Sequence, residues 1–203
     1  MSTINFDPMQ TLTGQNSFQV ESQGYIQGAF MDDPVARMWL LPGLVDSSVT
    51  QPIWGGLAIE ELVPAPDAHT NGTIASPISI PSTASSVTGF TVFNRAHNML
   101  IVPGQNVPLA TTQMDVAYFR LGSNVRIPVK VSSGLASSLE GGSITQQVSW
   151  DFTNNELTAY VSGTNTVLPV KVLNVNSNSK IVNYNSSTGA VTWAYGYAAL
   201  IQL

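Results

Sequence analysis

Cysteine is absent from this 203-residue chain, and histidine occurs only twice. The first absence excludes a disulfide framework and any Cys-based zinc site. The two imidazoles, His69 and His97, lie in separate turn-like segments, too few for a nitrogen-ligated metal centre. Charge is equally scarce: 9% of residues are ionisable as Asp, Glu, Lys or Arg, against a usual value of about 25%. The seven basic residues are scattered, with Arg120, Arg126 and Lys130 the nearest thing to a patch. A nucleic-acid surface needs a basic stripe that neutralises several phosphates, so no nucleic-acid partner is expected. Long apolar runs are also missing. The best candidate, residues 35–45, is interrupted by Arg37, Pro42 and Gly43 and falls well short of the ~20 apolar residues of a membrane helix. Residues 1–10 lack a basic stretch followed by an apolar one, so the expectation is no secretory leader and no membrane partner.

What is present is an apolar core supply of 43% hydrophobic residues, diluted with Ser, Thr, Asn and Gln rather than with charge. That hydrophobic content separates the chain from disordered sequences. A compact fold of this length buries roughly 70% of its unfolded surface and needs no metal or disulfide staple. A neutral polar surface also loses less on desolvation than a charged one. It is therefore suited to burial against another protein, or belongs simply to a β-domain of unusual composition.

Residues 1–30 read as an extended arm in which Phe6, Met9, Phe18, Val20, Tyr25 and Ile26 stand isolated among polar residues. Such a segment can pack across a neighbour and order on binding; a frayed terminus or a first strand pair is the alternative. Residues 31–203 read as one β-sandwich domain. One short helix is expected, capped by Asp33, begun at Pro34 and stopped by Pro42-Gly43. Thereafter about a dozen short strands follow, with turn signals every 8 to 12 residues, the all-β pattern of a β-sandwich or barrel. Gly55-Gly56 marks a bulge or a close backbone approach. A proline-rich loop follows at 64–81, and NMLIV (98–102) reads as a strand. In VRIPVKV (125–131), Val125, Ile127, Val129 and Val131 share one face, and Pro128 predicts an edge or bulge. Thr153-Asn154-Asn155 and residues 186–189 predict hairpin turns.

No catalytic, cofactor-binding or metal residue emerges, and the protein is expected not to be an enzyme. Ser177 and Lys180 match S-x-x-K by spacing but sit in an Asn/Ser-rich stretch read as a turn. Glu60 and Glu61 are adjacent on a strand and point to opposite faces. Asp151, Asn154 and Glu156 offer oxygen atoms without the spacing of a calcium loop. Trp39, Trp54, Trp150 and Trp193 suit a core first and a stacking platform for sugars second.

Several blocks, in this order, resemble the structural cement (capsid decoration) proteins of tailed bacteriophages. They are GYIQGAFMDDPVAR (24–37), QPIWGGLAI (51–59), TGFTVFNRAHNMLIVPGQNVPLA (88–110), FRLGSNVRIPV (119–129), LEGGSITQQVSWDFTNNELTAYV (139–161), LPVKVL (168–173), and TGAVTW with the closing AALIQL. The resemblance implies a jelly-roll-like β-domain on the outer surface of the phage head, made in the host cytoplasm. It further implies a homo-oligomer, here read as a dimer rather than a trimer, bound to the major capsid protein and bridging neighbouring capsomers. It brings no catalytic residue. Residues 1–30 and the 64–81 loop are the expected capsid-facing parts. The rival expectation is a surface carbohydrate- or receptor-binding β-module such as a head fibre or adhesin.

Overall fold

The computed structural model describes residues 24–30, 34–63, 75–93, 99 and 106–203. Strand outweighs helix by 46% to 8%. Helix α1 (Pro34–Met38) leads into β1 (Leu41–Val45), β2 (Ala58–Glu61), β3 (Ser76–Ser79), β4 (Gly89–Val92), β5 (Asp115–Arg120) and β6 (Arg126–Lys130). Helix α2 (Ser133–Leu139) precedes β7 (Val148–Asp151), β8 (Glu156–Ala159), β9 (Lys171–Asn185) and β10 (Ala190–Gln202).

Five short strands close a barrel in the order β1-β3-β2-β4-β5. Four of its pairings are antiparallel, whereas β1 and β3 run parallel through Gly43↔Ser76 and Val45↔Ile78. A three-stranded sheet, β6-β10-β9, and the β7-β8 hairpin form the rest. The described strands thus make a mixed five-stranded barrel with small antiparallel sheets, a mostly-β architecture.

The alternation of β5 explains how these parts stack. Val116 and Tyr118 face the barrel cluster, with Ile53, Trp54, Leu57, Ile59 and Ile78. Ala117 and Phe119 face the other way, into a second cluster with Ile127, Val129, Leu135, Val148, Trp150 and Leu157. Every residue of β4 is buried for the same reason. A wall buried on both faces reads as a continuous apolar run rather than as alternation. Phe90 marks the join, standing edge-on to Trp150 at 5.2 Å. The β9-β10 hairpin spans both clusters. Its base supplies Val172, Ala199 and Ile201 to the second cluster, and its far half supplies Val182 and Val191 to the barrel.

Residues 25–28 fasten the layers together. Ile26 bridges Lys180 in parallel. Gln27 donates its backbone N–H to the Lys180 carbonyl (2.9 Å), and the Lys180 N–H reaches the Tyr25 carbonyl (2.7 Å). On its other side, Gly28 donates to the Pro128 carbonyl (2.8 Å) and accepts from the Phe93 N–H (2.9 Å). Residues 27 and 28 form a turn closed by the Ala29 N–H on the Ile26 carbonyl (3.1 Å), and the segment thereby reaches from β9 to β6, the two outer strands of the β6-β10-β9 sheet. The side chain of Gln27 is fully buried, and its Oε1 accepts from the Val182 N–H at 2.8 Å. A Cβ on Gly28 would lie 2.2 Å from the Gly55 carbonyl carbon, and its φ is +73°. Glycine is required there by both space and backbone conformation.

Several expectations hold. Val125, Ile127, Val129 and Val131 are all buried. Pro128 lies on an edge strand, where its missing N–H takes no ladder bond from β10. The β7-β8 hairpin turns through Asn155 at φ 52°, and β9 turns into β10 through residues 186–189. Gly55 and Gly56 sit in the predicted close approach to another backbone. Others need correction. The helix from Pro34 ends at Met38, and Pro42-Gly43 lie within β1 rather than after a two-turn helix. Ser177 and Lys180 lie inside the continuous strand β9, not in a turn. A second helix, α2, is present, with Ser132 Oγ accepting from the Leu135 N–H. Within the loop expected at 64–81, residues 76–79 instead form strand β3 of the barrel; Asp33, residues 1–23, residues 64–74 and most of NMLIV lie outside the described residues.

Candidate interaction surface

The few charged side chains are largely occupied by one another or by turns. Glu61, at the end of β2, accepts from Tyr118 Oη (2.6 Å), Arg120 Nε (2.6 Å) and an Arg120 terminal nitrogen (2.8 Å). Burial pushes the Glu61 carboxyl up, but the hydrogen bonds from Arg120 and Tyr118 outweigh it and leave it below the ordinary value. Burial and the bond to Glu61 raise the Tyr118 phenol. Glu61 thus works as the clasp between β2 and β5, while its neighbour Glu60 lies at the register of Ser79 on β3. The two acids do not share a site, as strand alternation predicts.

The Asp151, Asn154 and Glu156 group is brought together, but as a turn. Asp151 Oδ1 accepts from the Thr153 N–H (2.8 Å) and the Asn154 N–H (3.2 Å), while Oδ2 accepts from Asn154 Nδ2 (2.7 Å). Burial raises this carboxyl, yet those bonds and the charge of Lys130 bring it below the ordinary value. Lys130 Nζ stands 3.2 Å from Glu156 Oε2 and 3.3 Å from the Asn154 carbonyl. An ammonium group therefore already occupies the centre of this oxygen cluster. Among the described residues no group of three or more His, Cys, Asp or Glu is placed to hold a metal ion. His69 and His97 fall outside the described residues. No described helix is long and apolar enough to cross a membrane.

An open cleft of about 260 Å³ lies between residues 139–144 and 172–175 of β9. Among the described residues lining it, Glu140 alone is ionisable, one carboxylate where glycoside hydrolysis uses two.

The tryptophans divide. Trp54 and Trp150 are buried in the two clusters. Trp193 packs on the barrel cluster, with Nε1 donating to the Asn106 carbonyl at 3.0 Å and Lys180 Nζ 5.0 Å from its ring. Trp39 is 56% exposed beside Met38 at 84%. Ile26, Val63, Ile144, Val161 and Tyr195 are also exposed. Ile26, Lys180 and Tyr195 lie in one cross-strand row. These exposed apolar positions were hidden in the sequence, because exposure depends on which strand edge or turn each residue reaches.

A scan against protein-family models, a search of curated proteins and a search of solved structures each found no match to this chain.

Proposed function

We propose that this chain is a capsid cement protein of a tailed bacteriophage. In this reading it binds the outside of the major capsid protein shell as a homo-oligomer, a dimer, and bridges neighbouring capsomers so that the head resists its internal DNA pressure. The finer jelly-roll-like topology and the place on the outer surface of the virion belong to the same reading and rest on the resemblance of the ordered blocks. The observation that carries it is the exterior: large apolar side chains such as Met38, Trp39, Val63 and Tyr195 stand exposed on a body with seven basic and twelve acidic residues. Such a surface buries against protein with little charge to desolvate.

The mechanism is mechanical. Two contacts on one stiff body bind with high effective concentration, so modest individual affinities give tight attachment. Each contact buried across a capsomer boundary, roughly 1,600 Å² in total for a standard interface, must be broken before the shell opens there. Few charges also mean weak dependence on salt. The purified protein is expected to co-sediment with expanded, unoccupied phage shells in both 0.1 M and about 1 M salt. Absence of co-sedimentation would remove the reading.

A second reading, a glycan-binding module, draws on Tyr195 and Tyr197. Both are exposed and stand two residues apart on β10, where alternate side chains share a face. Binding to host glycans on an array, without shells, would favour it over the cement role.

A further inference from the structure

The geometry points to residues 24–30 as the joint of the protein, so that a load applied at Gly24 is transmitted to both layers through this segment. This rests on the cement reading for what would load the segment, but not for the joint itself. The hydrogen bonds of residues 25–28 go to three different elements: β9 at Lys180 and Val182, β6 at Pro128, and the residue after β4, Phe93. Tyr25 adds a bond from its N–H to Ser179 Oγ (3.0 Å), and its hydroxyl accepts from Asn174 Nδ2 (2.7 Å). Phe30 stands edge-on to Phe119 at 5.4 Å. The chain enters this joint at Gly24, where a Cβ would lie 2.0 Å from the Asn178 carbonyl oxygen.

The parallel bridge to β9 sets the direction of load. Ladder hydrogen bonds lie across the strand direction. A pull on Gly24 along β9 therefore loads the two backbone bonds at Lys180 together, in shear, instead of peeling them one at a time. Loss of the joint also leaves the Lys180, Val182 and Phe93 N–H groups without these partners at the seam between layers, where unmade bonds are costly.

The test uses the soluble protein without shells, so its failure is separable from failure of the cement reading. Variants lacking residues 1–23 and residues 1–28 are compared by thermal unfolding and amide exchange. Removal of 1–28 is expected to lower Tm by at least about 5 °C more than removal of 1–23 does. The milder Gln27→Ala, which takes away one acceptor and leaves the backbone bonds, is expected to speed exchange at the Val182 amide on the order of tenfold. It gives a readout even where the longer deletion does not fold. Equal losses in the two deletions would overturn the joint, as would unchanged Val182 exchange in Gln27→Ala.

Discussion

The barrel and the β6-β10-β9 sheet solve the same problem differently. In the barrel, β1 to β5 pair around a ring and leave no strand edge within it. The three-stranded sheet has two edges, and exposed edges invite pairing with other chains. Here residues 25–28 reach one stretch of each edge, near Lys180 on β9 and at Pro128 on β6. One region is closed by its own strands, and the other is tied by a segment distant in sequence. The half of the molecule that carries the long hairpin thus depends on contacts near residue 26, more than 150 positions from β9's partners in that seam.

The largest effect is expected at the wall the two regions share. Phe90→Ala removes a fully buried ring that meets Trp150 and should cost about 3–5 kcal/mol. Urea unfolding followed by tryptophan fluorescence should show one earlier transition. Two separated transitions would mean that the regions fold independently.

A smaller loss should follow within the barrel from Thr91→Val. The buried Thr91 hydroxyl donates to the Trp54 carbonyl (2.6 Å) and accepts from the Leu57 N–H (3.0 Å), so the substitution leaves both without that partner at a cost of about 1–3 kcal/mol. Urea midpoints check it, and a loss equal to that of Phe90→Ala would shift the weight of the account from the wall to this turn.

The smallest effect is acid sensitivity, present in the barrel and in the separate β7-β8 hairpin. The carboxyls of Glu61 in the barrel and Asp151 in the outer hairpin are held below their ordinary values of 4.5 and 3.8. A lowered carboxyl stabilises fully above its unfolded value, and the contribution is lost as pH falls through the folded value. Stability should thus be flat down to about pH 4.5 from these groups and decline below it. Each contribution is expected to be at most about 1 kcal/mol, because the pairs are partly solvated. A Tm titration of wild type against Glu61→Gln checks this, the variant showing the shallower decline.

Local patterns were legible in the sequence and closure was not. The alternation from Val125 to Val131, the Asn155 turn and the Gly55-Gly56 approach each follow from the chemistry of a few adjacent residues. Helix α2 was missed because SSGLASSL looks like a polar turn; its signal was Ser132 as cap with Leu135, Ala136 and Leu139 on one face. The Asn/Ser-rich centre of β9 resembles a turn by composition, yet it stays extended beside β10. There the register steps from Ser179↔Gly196 to Asn176↔Ala198, the extra residue of a bulge. The parallel β1-β3 pair joins segments separated in the chain by β2 and its flanking loops, which no local pattern encodes. As for the site, the sequence indicated that the acids would not converge at Glu60 and Glu61. It did not reveal that Lys130 sits among the oxygens of the 151–156 turn, because that ion pair joins β6 to β8.

The most direct test of the central claim is a cryo-electron microscopy difference map between phage shells with and without the bound protein. The account predicts density on the outer surface straddling the boundaries between neighbouring capsomers, each copy touching two of them. Density confined to single capsomers, or none on the shell, would contradict it.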